Sequence, residues 1–204
     1  MSCHYICLDG IDGAGKTTHC KLLALNLSRI GIKTKVINFL GLLPSFDVRN
    51  EESKVCINRI YFMLTVNNTV LVLFIAALYA IFVKLLLIIL KVIALTQGVD
   101  VIILDRGPLY LLYKLAHSIF SQQVFIRYLK HILKLTPKLN TIILLIPMSL
   151  VTKRLHQKWD LKKDKNYFNL LLKYYIIVAK LHRLDTVVSV KGVNSVQEVI
   201  LNKV

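Results

Sequence analysis

The residues best equipped for chemistry sit together near the start of the chain, Gly10-Ile11-Asp12-Gly13-Ala14-Gly15-Lys16-Thr17. They match the spacing G-x-x-x-x-G-K-[ST], in which glycines let backbone N–H groups converge on phosphate oxygens. In that chemistry Lys16 reaches the β- and γ-phosphates of a nucleoside triphosphate, the Thr17 hydroxyl ligates Mg²⁺, and Thr18 continues the cradle into the helix. A second group is Asp105-Arg106. A carboxylate at the end of a strand can hold a metal directly or through water, and an adjacent Arg can grip a second phosphate; the alternative is a pair that merely opens a loop. Cys3, Cys7, Cys20 and Cys56 have no metal-type spacing and read as reduced thiols of a cytoplasmic protein. The six histidines form no base or metal arrangement, and His19 and His156 are expected to face solvent or phosphate.

Such groups act together only if strands and helices bring them to one edge. Tyr5-Ile6-Cys7-Leu8, ending at Asp9, reads as a buried strand feeding the glycine loop. Leu22, Leu23, Leu25, Leu27 and Ile30 suit one buried side of the helix that follows. Further strands are expected over Thr34 to Phe39, Val101 to Leu104 (ending at Asp105), Thr141 to Ile146 and Val187 to Val190. Helices are expected over 51–63, 69–96, 109–119, 123–133, 149–158 and 166–183, with Ser149 capping one and Ser195 capping a closing helix. Strands alternating with helices predict an α/β fold with a parallel sheet and ligands at the carboxyl ends of its strands. With no repeat and no dividing linker, 1–204 reads as a single domain.

Composition narrows the partners. The 27 basic and 11 acidic residues give a net charge of +16, with basic residues crowding the stretch from Lys153 to Lys165. That charge favours phosphate-bearing partners without choosing between nucleotide, nucleic acid and anionic membrane. Hydrophobic residues make up 55% of the chain. Val70 to Val83 is fourteen residues without a charge, and allowing Lys84 the apolar run continues to Leu90. A membrane span needs about twenty predominantly apolar residues. A span here would have to interrupt one α/β sheet, so the run reads instead as a helix all but surrounded by apolar contacts, partly in a subunit interface. No signal peptide is expected, because the first apolar run is short and flows into the glycine loop.

The loop, extended to Thr18, resembles that of thymidylate kinases, which carry an acidic residue where Asp12 stands. The resemblance implies the P-loop NTPase three-layer fold, a five-stranded parallel sheet flanked by helices, plus a mobile lid over about residues 154–167. It implies that Asp12 contacts the deoxyribose of the acceptor nucleotide and that Arg106, in an Asp-Arg pair similar to the family's Asp-Arg-Tyr, binds the acceptor phosphate. Asp105 would serve the metal end. Leu73-Phe74-Ile75-Ala76-Ala77 resembles the family's Leu-Phe-Ala-Ala segment, so Phe74 would stack on the base and the apolar helix would reach the dimer interface. Tyr110 and Tyr113 loosely echo the aromatic acceptor residues. Arg154-Leu155-His156-Gln157-Lys158 resembles the start of the lid, and Phe168 and Tyr175 keep the spacing of the helix after it. The loop itself carries no Arg, so a lid cation would complete the catalytic set: Arg154, Lys158, Lys162 or Lys163, of which Lys158 and Lys163 fall nearest the family's lid arginines.

The sequence also departs from that pattern. Leu78 stands where the family has the Arg that reads thymine's O4, Gly107 replaces the Tyr of Asp-Arg-Tyr, and the Arg-Glu-Pro-Gly element is replaced around Gly41 to Pro44. Losing a hydrogen-bonding side chain relaxes discrimination between bases. The expectation is a homodimeric thymidylate kinase using ATP, Mg²⁺ and dTMP, with no nucleic-acid partner and no membrane. The alternatives are a kinase of another (deoxy)nucleoside monophosphate, or a non-kinase nucleotide-binding protein associated with nucleic acid or membrane.

Overall fold

The computed structural model describes residues 3–39, 69–119, 133–134, 136–137, 139–155, 165–189 and 192–204. The elements alternate along the chain as β1 (His4–Gly10), α1 (Lys16–Arg29), β2 (Thr34–Asn38), α2 (Thr69–Thr96), β3 (Val101–Asp105), α3 (Pro108–Ile119), β4 (Asn140–Leu145), α4 (Met148–Leu155), α5 (Lys165–His182), β5 (Asp185–Val188) and α6 (Val193–Leu201). The five strands form one parallel sheet in the order β2-β3-β1-β4-β5. This is the three-layer α/β architecture that the alternating pattern predicts. The helices expected over 51–63 and 123–133 lie outside the described residues or almost entirely so.

The central strands are apolar along their length because both faces are covered. Ile102, Ile103, Leu104, Ile142, Ile143 and Leu144 are all 0% exposed. Pairing places Leu8 opposite Asp105 and Gly10 opposite Leu144, so the carboxyl ends of β1 and β3 lie side by side. The chain order reverses direction about β1, the place where a ligand crevice opens in such sheets.

Helix α1 buries Lys16, His19, Cys20, Leu23 and Leu27, an i, i+3/i+4 ladder against the sheet and α6. Leu25 and Ile30, expected on that side, are instead 48% and 71% exposed; the buried ladder runs through polar His19 and Lys16, which hydrophobicity alone passes over. His19, expected to face solvent or phosphate, is buried, its Nδ1 3.0 Å from Gln197 Oε1, and so joins α1 to α6. Two expected caps also shift. Ser149 falls inside α4, whose first turn begins at Met148, and Ser195 falls inside α6, where its hydroxyl donates to the Gly192 carbonyl at 2.9 Å.

Helix α2 is covered on one side only. One side, including Ala76, Tyr79, Val83, Leu87, Leu90 and Ala94, is buried against the domain, and Tyr79 donates a hydrogen bond to the Pro108 carbonyl beside the site. The other side is not surrounded. Phe74, Leu78, Ile81, Leu85, Ile88 and Val92, spaced four and three apart, are between 51% and 58% exposed. By length and composition Phe74–Thr96 is apolar enough to cross a membrane, with mean hydropathy 2.6 and 33% of that window buried.

Candidate active site

The glycine loop turns out of β1 and into α1 as its spacing predicts. Gly10 cannot be larger: a Cβ there would sit 2.2 Å from the Leu144 carbonyl oxygen of β4. Gly15, at φ 87°, occupies the left-handed region and stands at the N-cap of α1. No side chain caps that helix and no acid lies in its first turn, so its N–H groups and partial positive charge face the loop interior. Lys16 is 4% exposed, and its Nζ donates to the Ile11 carbonyl at 2.7 Å. Burial lowers its pKa, and the charges of Asp12, Asp9 and Asp105 work against that loss.

From the next strand, Asp105 and Arg106 arrive at the same edge. The Thr17 hydroxyl donates to Asp105 Oδ2 at 2.6 Å. The other carboxylate oxygen, Oδ1, is buried and has no hydrogen-bond partner among the described residues. A hydroxyl and a carboxylate in contact, with one oxygen left over, is an all-oxygen donor set of the kind Mg²⁺ takes, and one that leaves room for phosphate oxygens and water. Thr17 and Asp105 therefore fit the metal role that the sequence predicts for them.

Arg106 holds φ 63°, a left-handed conformation that costs a non-glycine residue about 1–2 kcal/mol. Its backbone N–H bonds the Leu8 carbonyl at 3.2 Å, so the turn is fastened to β1. Beyond the turn, Nη2 reaches back to Asp12 Oδ1 at 2.9 Å. Asp12 is thus the hub: Lys16 Nζ lies 3.5 Å from the same oxygen and the Tyr110 hydroxyl donates to Oδ2 at 3.3 Å. The Tyr110 ring lies beneath both cations, with Lys16 Nζ at 5.9 Å and Arg106 Cζ at 5.6 Å from its centroid. Burial pushes the Asp12 carboxyl up, but the Lys16 and Arg106 charges outweigh it and hold the group below the usual carboxylate range. Burial likewise opposes the Arg106 charge, and the Asp12 carboxylate overcomes it, holding the guanidinium above its usual range.

Of the residues predicted from sequence, the structure brings together Gly10 to Thr17, Asp105, Arg106 and Tyr110. Tyr113 lies on the same helix but in the layer beneath: it is buried, its ring 5.1 Å from that of Tyr174. Phe74 stands near the start of α2, 58% exposed. Arg154 belongs to α4; its side chain, Lys158 and most of the expected lid lie outside the described residues. Two residues at the site were given no role by sequence reasoning. Asp9 is fully buried, and burial pushes its carboxyl up to about 6 against the pull of the Lys16 charge. Tyr175 donates to Asp9 Oδ1 at 3.0 Å across 166 residues of chain. An acid ending an otherwise apolar strand was the one signal available for Asp9. Among the described residues no group of His, Cys, Asp and Glu of metal-site size occurs.

No family model matches the chain, and no curated protein matches it by sequence. Among solved structures it is similar to the thymidylate kinase of Ehrlichia chaffeensis, at 16% identity and TM-score 0.50, over 99% of this chain and 98% of that one. It is also similar to a deoxyadenosine kinase from M. mycoides, whose structure holds dCMP and a flexible dCDP as products, at 18% identity and TM-score 0.55, over 98% of this chain and 97% of that one. The three-layer parallel α/β fold is what the chain has in common with both kinases, over nearly their whole lengths.

Proposed function

We propose that this chain is a nucleoside-monophosphate kinase of the thymidylate kinase type, transferring the ATP γ-phosphate to dTMP. One observation carries the reading: Asp12, inside the phosphate loop, is bonded by Arg106 and Tyr110 of the neighbouring strand and helix as well as by Lys16. A loop that only cradled a triphosphate has no need of a carboxylate bridging to a second cation. A loop shared by two nucleotides does, because a sugar hydroxyl can bond the carboxylate while Arg106 takes the acceptor phosphate.

Phosphoryl transfer asks chiefly for positioning and charge neutralisation. In this reading Lys16 exchanges the Ile11 carbonyl for donor phosphate oxygens, Arg106 holds the acceptor phosphate, and the Tyr110 ring supports both cations from below. Thr17 and Asp105 would hold Mg²⁺, which when bound offsets charge on the transferring phosphates. Arg154 or Lys158 would add a cation from the lid, Phe74 would stack on the acceptor base, and Tyr113 would back the pocket through Tyr110. The protein would act in the cytoplasm as a homodimer joined along the exposed stripe of α2 from Ile81 to Val92, beyond the residues at the base.

A second reading keeps the chemistry and changes the acceptor. Leu78 offers no hydrogen bond where the thymidylate kinases carry a base-reading Arg, and it is 51% exposed one turn after Phe74. A pocket without that bond rejects other bases weakly. ADP release measured with dTMP, dUMP, dCMP, dGMP, dAMP and the free deoxynucleosides separates the two: fastest turnover on dTMP supports the first, and fastest turnover on any other acceptor supports the second.

A further inference from the structure

Lys16 can serve phosphate oxygens only if no acid of the fold claims its ammonium first, and a buried acid stands close by. Asp9, near the end of β1, is 0% exposed, and Lys16 is 4% exposed. The two charges feel each other, each favouring the ionised form of its neighbour. Yet Lys16 is not paired with Asp9. Its Nζ donates to the Ile11 carbonyl at 2.7 Å and lies 3.5 Å from Oδ1 of Asp12, a carboxylate that is 26% exposed. The difference matters because opposite charges attract more strongly away from water, and separating a buried pair leaves each charge uncompensated. A pair between Lys16 and Asp9 would be a trap for the ammonium that the triphosphate needs.

Both oxygens of Asp9 are occupied elsewhere. Oδ1 accepts from the Tyr175 hydroxyl of α5 at 3.0 Å. Oδ2 lies 3.9 Å from Cys7 Sγ and faces the place where Gly107 has no side chain, 3.4 Å from the position of a Cβ there. Tyr175 is itself fixed. It is fully buried, and its ring meets that of Tyr174 edge-on at 5.3 Å. Tyr174 in turn donates to the Leu109 carbonyl of α3 at 2.9 Å and packs on Tyr113. The hydroxyl that holds Asp9 therefore comes from a helix fastened to the sheet and to α3, and not from a side chain that can follow the carboxylate if it turns.

We propose that Tyr175 is a positioning residue for the phosphate loop: by holding Asp9 Oδ1 from α5, it keeps the Asp9 carboxylate from pairing with Lys16 and leaves the ammonium to the triphosphate. The inference rests on the triphosphate-binding half of the reading above, and not on the identity of the acceptor.

Equilibrium binding of ATP to the whole chain tests it, with Tyr175→Phe, Asp9→Asn, the two combined, and Tyr174→Phe. Tyr175→Phe removes one oxygen and should weaken ATP binding roughly tenfold, the low end of what a hydrogen bond to a charged group is worth. Adding Asp9→Asn removes the competing charge and should bring affinity back to within about threefold of wild type. Tyr174→Phe loses a buried hydroxyl bond from the same helix, but to a neutral carbonyl, and should leave ATP affinity within about twofold. Unchanged affinity in Tyr175→Phe, or a combined variant no better than Tyr175→Phe alone, would overturn the proposal. So would an equal loss in Tyr174→Phe, which would mark general loosening of α5. If Tyr175→Phe does not fold by itself, Asp9→Asn with and without it carries the test. Once the charge is gone the hydroxyl should no longer matter, so equal ATP affinity supports the proposal and weaker binding by the combined variant overturns it. A wild-type chain that binds ATP but turns over no monophosphate removes the kinase reading and leaves this comparison intact; one that binds no ATP overturns the proposal.

Discussion

Lys16 and Asp9 are buried charges of opposite sign a few residues apart, and each makes a measurable demand on the protein. Lys16 is held away from water by the loop it serves, so its ammonium is available to phosphate oxygens with little competing hydration. Lys16→Ala should lower kcat by at least about a hundredfold, as removal of a single preorganised donor does, with the melting temperature nearly unchanged. Steady-state kinetics beside a thermal melt checks this, and retained activity would contradict the role given to the loop. Asp9 makes its demand on stability. Its folded-state pKa of about 6 lies above the ordinary carboxylate value of 3.8, so the folded state binds the proton more tightly than the unfolded chain. The contribution is favourable at low pH and is lost as pH rises through about 6, a cost of roughly 3 kcal/mol by neutral pH. Asp9→Asn should therefore melt higher than wild type at pH 8, with the gap closing as pH falls to about 4. Parallel melting curves across that range would contradict the burial of a charged Asp9.

At the scale of elements, the junction of β1, β3 and α3 is where sequence and structure can be compared most usefully. The strand ends, the glycine loop and the Asp105-Arg106 edge were legible because each rests on local signals: an apolar run, a glycine spacing, a charged pair at a strand end. The bounds of α2 were legible for the same reason. What was not legible depends on contacts between distant residues. The bond from Tyr175 to Asp9 crosses 166 positions, and the burial of His19 depends on Gln197 in the last helix. Gly107 shows this most clearly. As sequence it is a departure from Asp-Arg-Tyr; in the structure it is the residue that lets α3 approach Cys7. Gly107→Ala should destabilise the fold by about 1–3 kcal/mol through overpacking. Cys7→Ala removes the sulfur while its Cβ, at 3.5 Å from the new methyl position, can stay. The double variant should regain much of the loss in a denaturant titration, and strictly additive losses would show that the contact is not the cause.

At the scale of the whole molecule, the exposed stripe of α2 and the +16 charge make separate demands. An apolar stripe with heptad-like four-three spacing is the seam of helix pairing, and a two-fold axis across it would place α2 against its copy. Leu85→Glu, at the middle of the stripe, should halve the mass seen by light scattering, and a wild-type chain that already runs as a monomer would remove the dimer. The charge serves phosphate-bearing substrates in this account, so nucleic acid should bind weakly and lose affinity steeply with salt. All of these expectations depend on one claim, that Asp12 joins two nucleotide sites into one. ADP release from ATP and Mg²⁺, measured with and without each nucleoside monophosphate, tests it most directly. The account predicts release that requires a monophosphate, is fastest with dTMP, and falls sharply in Arg106→Ala. ADP release indifferent to every monophosphate, from a chain that still binds ATP, would contradict it.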